Sequence, residues 1–116
     1  MSGVRLVINL HAPDGRAAEY AQAWSPRYDE VNAEPGCVQY ELFTSARNPD
    51  NVAVLEWWDS RESFDAHWRR EQTRTQPGTE LLGRAKERRV GRNTTEIYWD
   101  RADYRFDPAT ELWTPR

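Results

Sequence analysis

The chain has 116 residues, of which 30% are charged, with a net charge of −3 and a pI near 5.4. That length suits one domain, and the acidic balance lacks the basic face that nucleic-acid binding requires. No apolar run approaches the ~20 residues that span a bilayer, and charged and polar residues interrupt MSGVRLVINL, unlike a secretory signal, so no membrane partner is expected.

Val4 to Leu10 alternates, with Val4, Leu6, Ile8 and Leu10 on one face and Arg5, Val7, Asn9 and His11 on the other, which predicts a strand. His11-Ala-Pro-Asp-Gly15 ends it, and Asp14 is a candidate N-cap for a helix over about 15–33. Ala17, Tyr20, Trp24, Tyr28 and Val31 step by three or four along that helix, and Pro26 inside it predicts a kink or a restart at Ser25. Glu34-Pro-Gly36 is a stop. Cys37 to Phe43 alternates again, Arg47 to Asn51 reads as a turn, and Val52 to Trp58 is a third strand, apolar on both faces except for Glu56. The short link makes the second and third strands a hairpin.

Asp59 with Glu62 has the form of a capping box, and Phe64, His67, Trp68 and Glu71 share one face of the helix after it. Pro77-Gly78 breaks that helix. A second helical piece over about 79–88 would turn Leu81, Leu82 and Ala85 inward, and the arginines of 84–92 read as a solvated helix end. Thr94 to Trp99 has strand composition. After Asp100 the segment carries Tyr104, Phe106 and Trp113, too aromatic for a free tail. Residues 100–116 are therefore expected to dock as an extension, for example on a neighbouring subunit, within one domain over 1–116.

The order β-α-β-β-α-β predicts an α+β fold of the ferredoxin-like, split β-α-β plan, with two helices on one face of a four-stranded antiparallel sheet. The doubly apolar third strand needs a cover on the open face, and a homodimer packed sheet against sheet supplies one. The lone Cys37 cannot form an internal disulfide, so a cytoplasmic setting fits.

Glu34 to Phe43 (EPGCVQYELF), the Asn48-Pro-Asp turn and Val54 to His67 (VLEWWDSRESFDAH) resemble the antibiotic-biosynthesis monooxygenase family. The resemblance covers about 4–68. It implies a dimeric α+β barrel with a pocket between sheet and helices, and a range of activities: cofactor-independent oxygenation of polyphenols to quinones, quinol oxygenation, haem degradation and small-molecule isomerisation. Glu56, Trp58 and His67 match the family's E-x-W and A-H pattern. Val54 stands where anthrone-oxidising members carry Asn, and Phe64 where they carry a tyrosine. The segment Thr75-Gln-Pro-Gly78 lacks the axial histidine of haem degraders.

Read from the residues alone, Glu56 is either a general base whose pKa burial has raised or a structural glutamate bonded to backbone or to an arginine such as Arg5. His67 is either a satisfied core histidine or, in place of Glu56, the base itself. Asn9 and His11 share a strand face that could open into the same cavity, or could be a polar strand end near solvent. Trp24, Tyr28, Tyr40, Trp58, Phe64 and Trp68 could line a flat pocket, although such spacing also builds cores. Two histidines with no Cys or acid at ligand spacing offer no metal site. The expected function is a cofactor-free monooxygenase that oxidises a hydroquinone or anthrone-like aromatic with O2. An isomerase or cyclase using the same base, or a non-catalytic binder of an aromatic ligand, are the alternatives.

Overall fold

The computed structural model describes residues 3–82, 94–99 and 104–115. Strands β1 (Val4–His11), β2 (Cys37–Thr44), β3 (Asn51–Trp58) and β4 (Thr94–Trp99) form one antiparallel sheet in the order β2-β3-β1-β4. Helices α1 (Ala17–Asn32) and α2 (Arg61–Glu71) cover one face of it. This is the ferredoxin-like arrangement expected from the element order.

The alternation in β3 divides the two faces of the sheet. Val52, Val54, Glu56 and Trp58 are buried against the helices, while Asn51, Ala53, Leu55 and Trp57 are half-buried on the other face. Register carries that division across the sheet, because Leu6 and Tyr40 both lie opposite Glu56. Arg5 lies opposite Trp57, stacks on its ring at 4.3 Å and donates to Gln39 on the same open face. Arg5 is thus no partner for Glu56. The hairpin between β2 and β3 is closed by Ser45 Oγ, which accepts from the Arg47 and Asn48 amides, and by Asn48 Oδ1, which accepts from the Asp50 amide.

Several local expectations shift. Asp14 does not cap α1; it takes a left-handed turn at φ 62°, and Arg16 precedes the helix with no side-chain cap. Pro26 neither ends nor restarts α1, which runs unbroken to Asn32, held on both sides of the proline by buried Tyr20, Trp24, Arg27 and Val31. Arg27, rather than the half-buried Tyr28, completes that stripe. Helix α2 is capped by Ser60, whose hydroxyl accepts from the Ser63 amide at 3.1 Å; Asp59 instead donates its amide to the Gly36 carbonyl. Of the second helical piece, Thr79–Leu81 is one 3-10 turn with Leu81 buried and Leu82 half-buried. The rest of it, with Ala85 and the arginines of 84–92, lies outside the described residues.

The C-terminal aromatics stand on a hairpin that composition alone did not resolve into strands, β5 (Tyr104–Asp107) with β6 (Leu112–Pro115), in a sheet of its own. Phe106 pairs with Trp113, their rings 5.6 Å apart, and Tyr104, Phe106 and Trp113 are all exposed. No helix among the described residues is long and apolar enough to cross a membrane.

Gly36 is a tight joint of the fold. Its φ of 81° lies where side chains are strained, and a Cβ would run into the Ser63 hydroxyl and the Asp59 carboxylate. Gly36→Ala should therefore lower unfolding stability by about 2 kcal/mol or more, read from the denaturant midpoint; a loss within ~0.5 kcal/mol would mean the corner is not packed as described.

Candidate functional site

Glu56 points from the middle of β3 toward α2 and is 4% exposed. One carboxylate oxygen, Oε1, accepts from the Trp58 indole at 3.0 Å and lies 3.6 Å from His67 Nε2. Trp58 is wholly buried, and its ring stacks on the His67 imidazole at 4.4 Å with 25° between planes. The Phe64 and Tyr40 rings flank the same imidazole at 6.5 and 6.3 Å.

The other imidazole nitrogen, Nδ1, meets Glu34 Oε2 at 3.1 Å. Glu34 belongs to the Glu-Pro-Gly corner after α1 and is held by two arginines: Arg70 donates to Oε1 at 2.7 Å and Arg74 to Oε2 at 3.2 Å. Behind them Glu71 accepts from Arg74 and Arg27, both at 2.8 Å, and Arg27 also donates to the Thr75 carbonyl. A histidine thus separates two buried carboxylates, and the arginines crowd around only one of them.

Protonation depends on that asymmetry. Burial pushes Glu56 up to about 7 from 4.5; the Trp58 indole opposes the shift, and the charges of Glu71 and Glu34 add to it. Burial also acts to raise Glu34, but hydrogen bonds from His67, Arg70 and Arg74 together outweigh it and hold the carboxyl below its ordinary value. His67 is lowered by burial, with Glu34 opposing. Near neutrality Glu56 and a neutral His67 therefore lie within reach of sharing one proton.

Both open into a cavity of about 820 Å³ between the helix-facing side of the sheet and α2. Leu6, Ile8, Val54 and Ile97 form its floor, aromatic side chains its walls, and Arg61, Asp65, Glu71, Gln72, Gln76 and Thr79 join the pair as the polar part of its lining. Of the expected pocket residues, Trp24, Tyr40, Phe64 and Trp68 line it, Trp68 with its side chain more than half exposed. Trp58 does not; it backs the pair. Tyr28 packs on Tyr40 and lines a shallower pocket of about 490 Å³ against β2. Asn9 and His11 do not open into the cavity either. They share the sheet face of Arg5 and Trp57, and His11 Nδ1 lies 2.6 Å from Asn51 Oδ1. Sequence reasoning passes over Glu34, Arg27, Arg70 and Arg74. His67, Arg70, Glu71 and Arg74 do step by three and four, but nothing in that spacing names Glu34 as the partner.

The raised carboxyl has a thermodynamic signature. Because its folded pKa of about 7 exceeds the unfolded 4.5, the native state binds more protons in that window, and its stability falls as pH rises through it. The full excursion is on the order of 3 kcal/mol. Glu56→Gln lacks this loss. Relative to wild type it should gain roughly 1–3 kcal/mol between pH ~4.5 and ~8; a pH-independent difference in chemical denaturation would show that Glu56 is not perturbed.

The sequence and the fold are both similar to those of known proteins. The model of the family described as antibiotic biosynthesis monooxygenase matches residues 3–76. Protein SchA of Streptomyces halstedii is 35% identical over 63 residues, which are 54% of this chain and 17% of that protein, so the chain spans under a fifth of its curated relative. A conserved protein of Methanosarcina mazei superposes with a TM-score of 0.68 at 22% identity, over 87% of this chain and 95% of that one. A candidate antibiotic biosynthesis monooxygenase of Nitrosomonas europaea gives 0.68 at 14% identity, over 84% and 89%. At such identities these structures speak to the fold alone.

Proposed function

The chain belongs to the antibiotic biosynthesis monooxygenase family, and on that premise we propose that it oxidises an electron-rich aromatic, a hydroquinone or anthrone-like polyketide, to a quinone using O2 without a bound cofactor. The observation that carries the reading is the Glu56–His67 pair set into the wall of an apolar, aromatic cavity. A base with a pKa near the working pH is what proton abstraction needs, and a dry slot keeps reactive intermediates from water.

For an anthrone-like substrate the pair removes one proton from the activated CH2. The carbanion gives one electron to O2, and the resulting radical and superoxide join in a C–O bond. The pair returns its proton to the peroxide. Removal of the second C–H proton, with cleavage of the O–O bond, leaves a carbonyl, and the expelled hydroxide takes a proton from the pair. The balance is CH2 + O2 → C=O + H2O. Trp24, Tyr40, Phe64 and Trp68 hold the rings of the substrate, while Tyr28 supports Tyr40 and Trp58 backs the pair.

Oxygen uptake against hydroquinones, dihydroxynaphthalenes and anthrones tests this directly. Uptake above autoxidation, lowered by ~10² or more in Glu56→Gln, is expected. Turnover without oxygen consumption would select isomerisation or cyclisation by the same pair, and retention of an aromatic ligand without turnover would select a binding protein.

The same reading includes a cytoplasmic homodimer packed through the open sheet face, supported by half-buried Val7, Leu55 and Trp57 and by Phe43, 43% exposed. Sedimentation velocity should find a dimer, and Leu55→Asp in the middle of that face should leave a folded monomer.

A further inference from the structure

Glu34 does not line the cavity, yet it touches His67, which stands between Glu56 and the arginine network. We propose that Glu34 is a positioning residue: it fixes His67 as the Nδ1–H tautomer, so that Nε2 faces Glu56, and it supplies the counter-charge when Nε2 takes a proton. This rests on the reading of Glu56 and His67 as the proton-handling pair.

The geometry makes the assignment. A carboxylate clamped by Arg70 at 2.7 Å and Arg74 at 3.2 Å is ionised and can only accept, so the hydrogen in its 3.1 Å contact with the imidazole sits on Nδ1. A neutral ring with Nδ1–H has its lone pair on Nε2, and that nitrogen is the one 3.6 Å from Glu56 Oε1. Stacking on Trp58 holds the ring in its plane. The groups around His67 come from every packed element: Glu34 from the corner after α1, Tyr40 from β2, Glu56 from β3, and Arg70, Glu71 and Arg74 from α2 and the turn beyond it. Glu34 is the acceptor on Nδ1. An imidazolium formed during turnover would face a fixed anion 3.1 Å away, as in triads where a buried acid orients a histidine base.

Long-range 1H–15N correlation of the imidazole rings reads the tautomer without substrate, and His11→Asn assigns the two histidines of the chain. Wild type should show a protonated Nδ1 and a bare Nε2 at His67 around neutral pH. In Glu34→Ala the ring should move toward the Nε2–H form and titrate at lower pH than in wild type. Glu34→Gln, whose amide oxygen still accepts, should keep more of the original tautomer while also titrating lower. With an active substrate, both variants should lose about tenfold or more in kcat at little change in KM. A wild-type Nε2–H tautomer, or identical tautomer and titration in Glu34→Ala, would overturn the proposal. The wild-type spectrum alone decides if the variants fail to fold. An Nε2–H ring in a protein that consumes oxygen would strike the role of Glu34; an Nδ1–H ring in one that consumes none would strike the reaction.

Discussion

The burial of Glu56 beside His67 is the constraint on which the rest of the site depends. A carboxylate in the middle of a sheet is costly, and proteins commonly answer that cost with a cation. Here its nearest polar neighbours are the Trp58 indole N–H and the His67 Nε2, and the guanidinium groups of Arg70 and Arg74 go to Glu34, on the far side of the histidine. An arginine against Glu56 would keep it ionised well below neutrality and make it a poor base. Two carboxylates flank one ring, and their different surroundings drive their pKa values apart, the pattern by which acid and base roles are divided in many active sites.

That division draws on distant parts of the chain. Glu34 is placed by the corner at Gly36, which packs on the start of α2 and so ties the end of α1 to the helix that carries His67. Arg27 reaches from α1 to Glu71, while Arg74, after α2, spans Glu71 and Glu34. The network therefore clamps the two helices together at one end, beside the apolar cavity they roof over the sheet.

Much of this is legible in the sequence because strands and helices declare their period. Val52 to Trp58 is apolar on both faces, which marks Glu56 as buried whichever way it points, and the spacing of Phe64, His67 and Glu71 marks His67 as inward. What period cannot supply is register. Asn9 and His11 are correctly grouped as one face of β1, but only the pairing of Leu6 with Glu56 shows that theirs is the opposite face from the cavity. The Arg–Glu contacts are hidden for a similar reason, since Glu34 and Arg70 meet through tertiary packing and Glu-Pro-Gly reads locally as nothing more than a stop. The cap of α2 moves by one residue because Asp59 and Ser60 are both good acceptors, and Asp59 is engaged at Gly36.

The strand order has a consequence for how the molecule is made. β1 precedes the other three strands of its sheet in the chain, yet it lies inside that sheet, with Val4 opposite Trp58 on one side and Trp99 on the other. β2 and β3 can pair as soon as their short turn emerges, and β1 can then join β3. Its second edge must wait until Trp99 has left the ribosome. For that interval the nascent chain presents the unpaired backbone of VRLVINLH, an apolar β-branched edge of the kind that templates association between chains. Folding of this small sheet is thus paced by its last central pairing, and the period of greatest exposure to aggregation falls between the synthesis of β3 and that of β4.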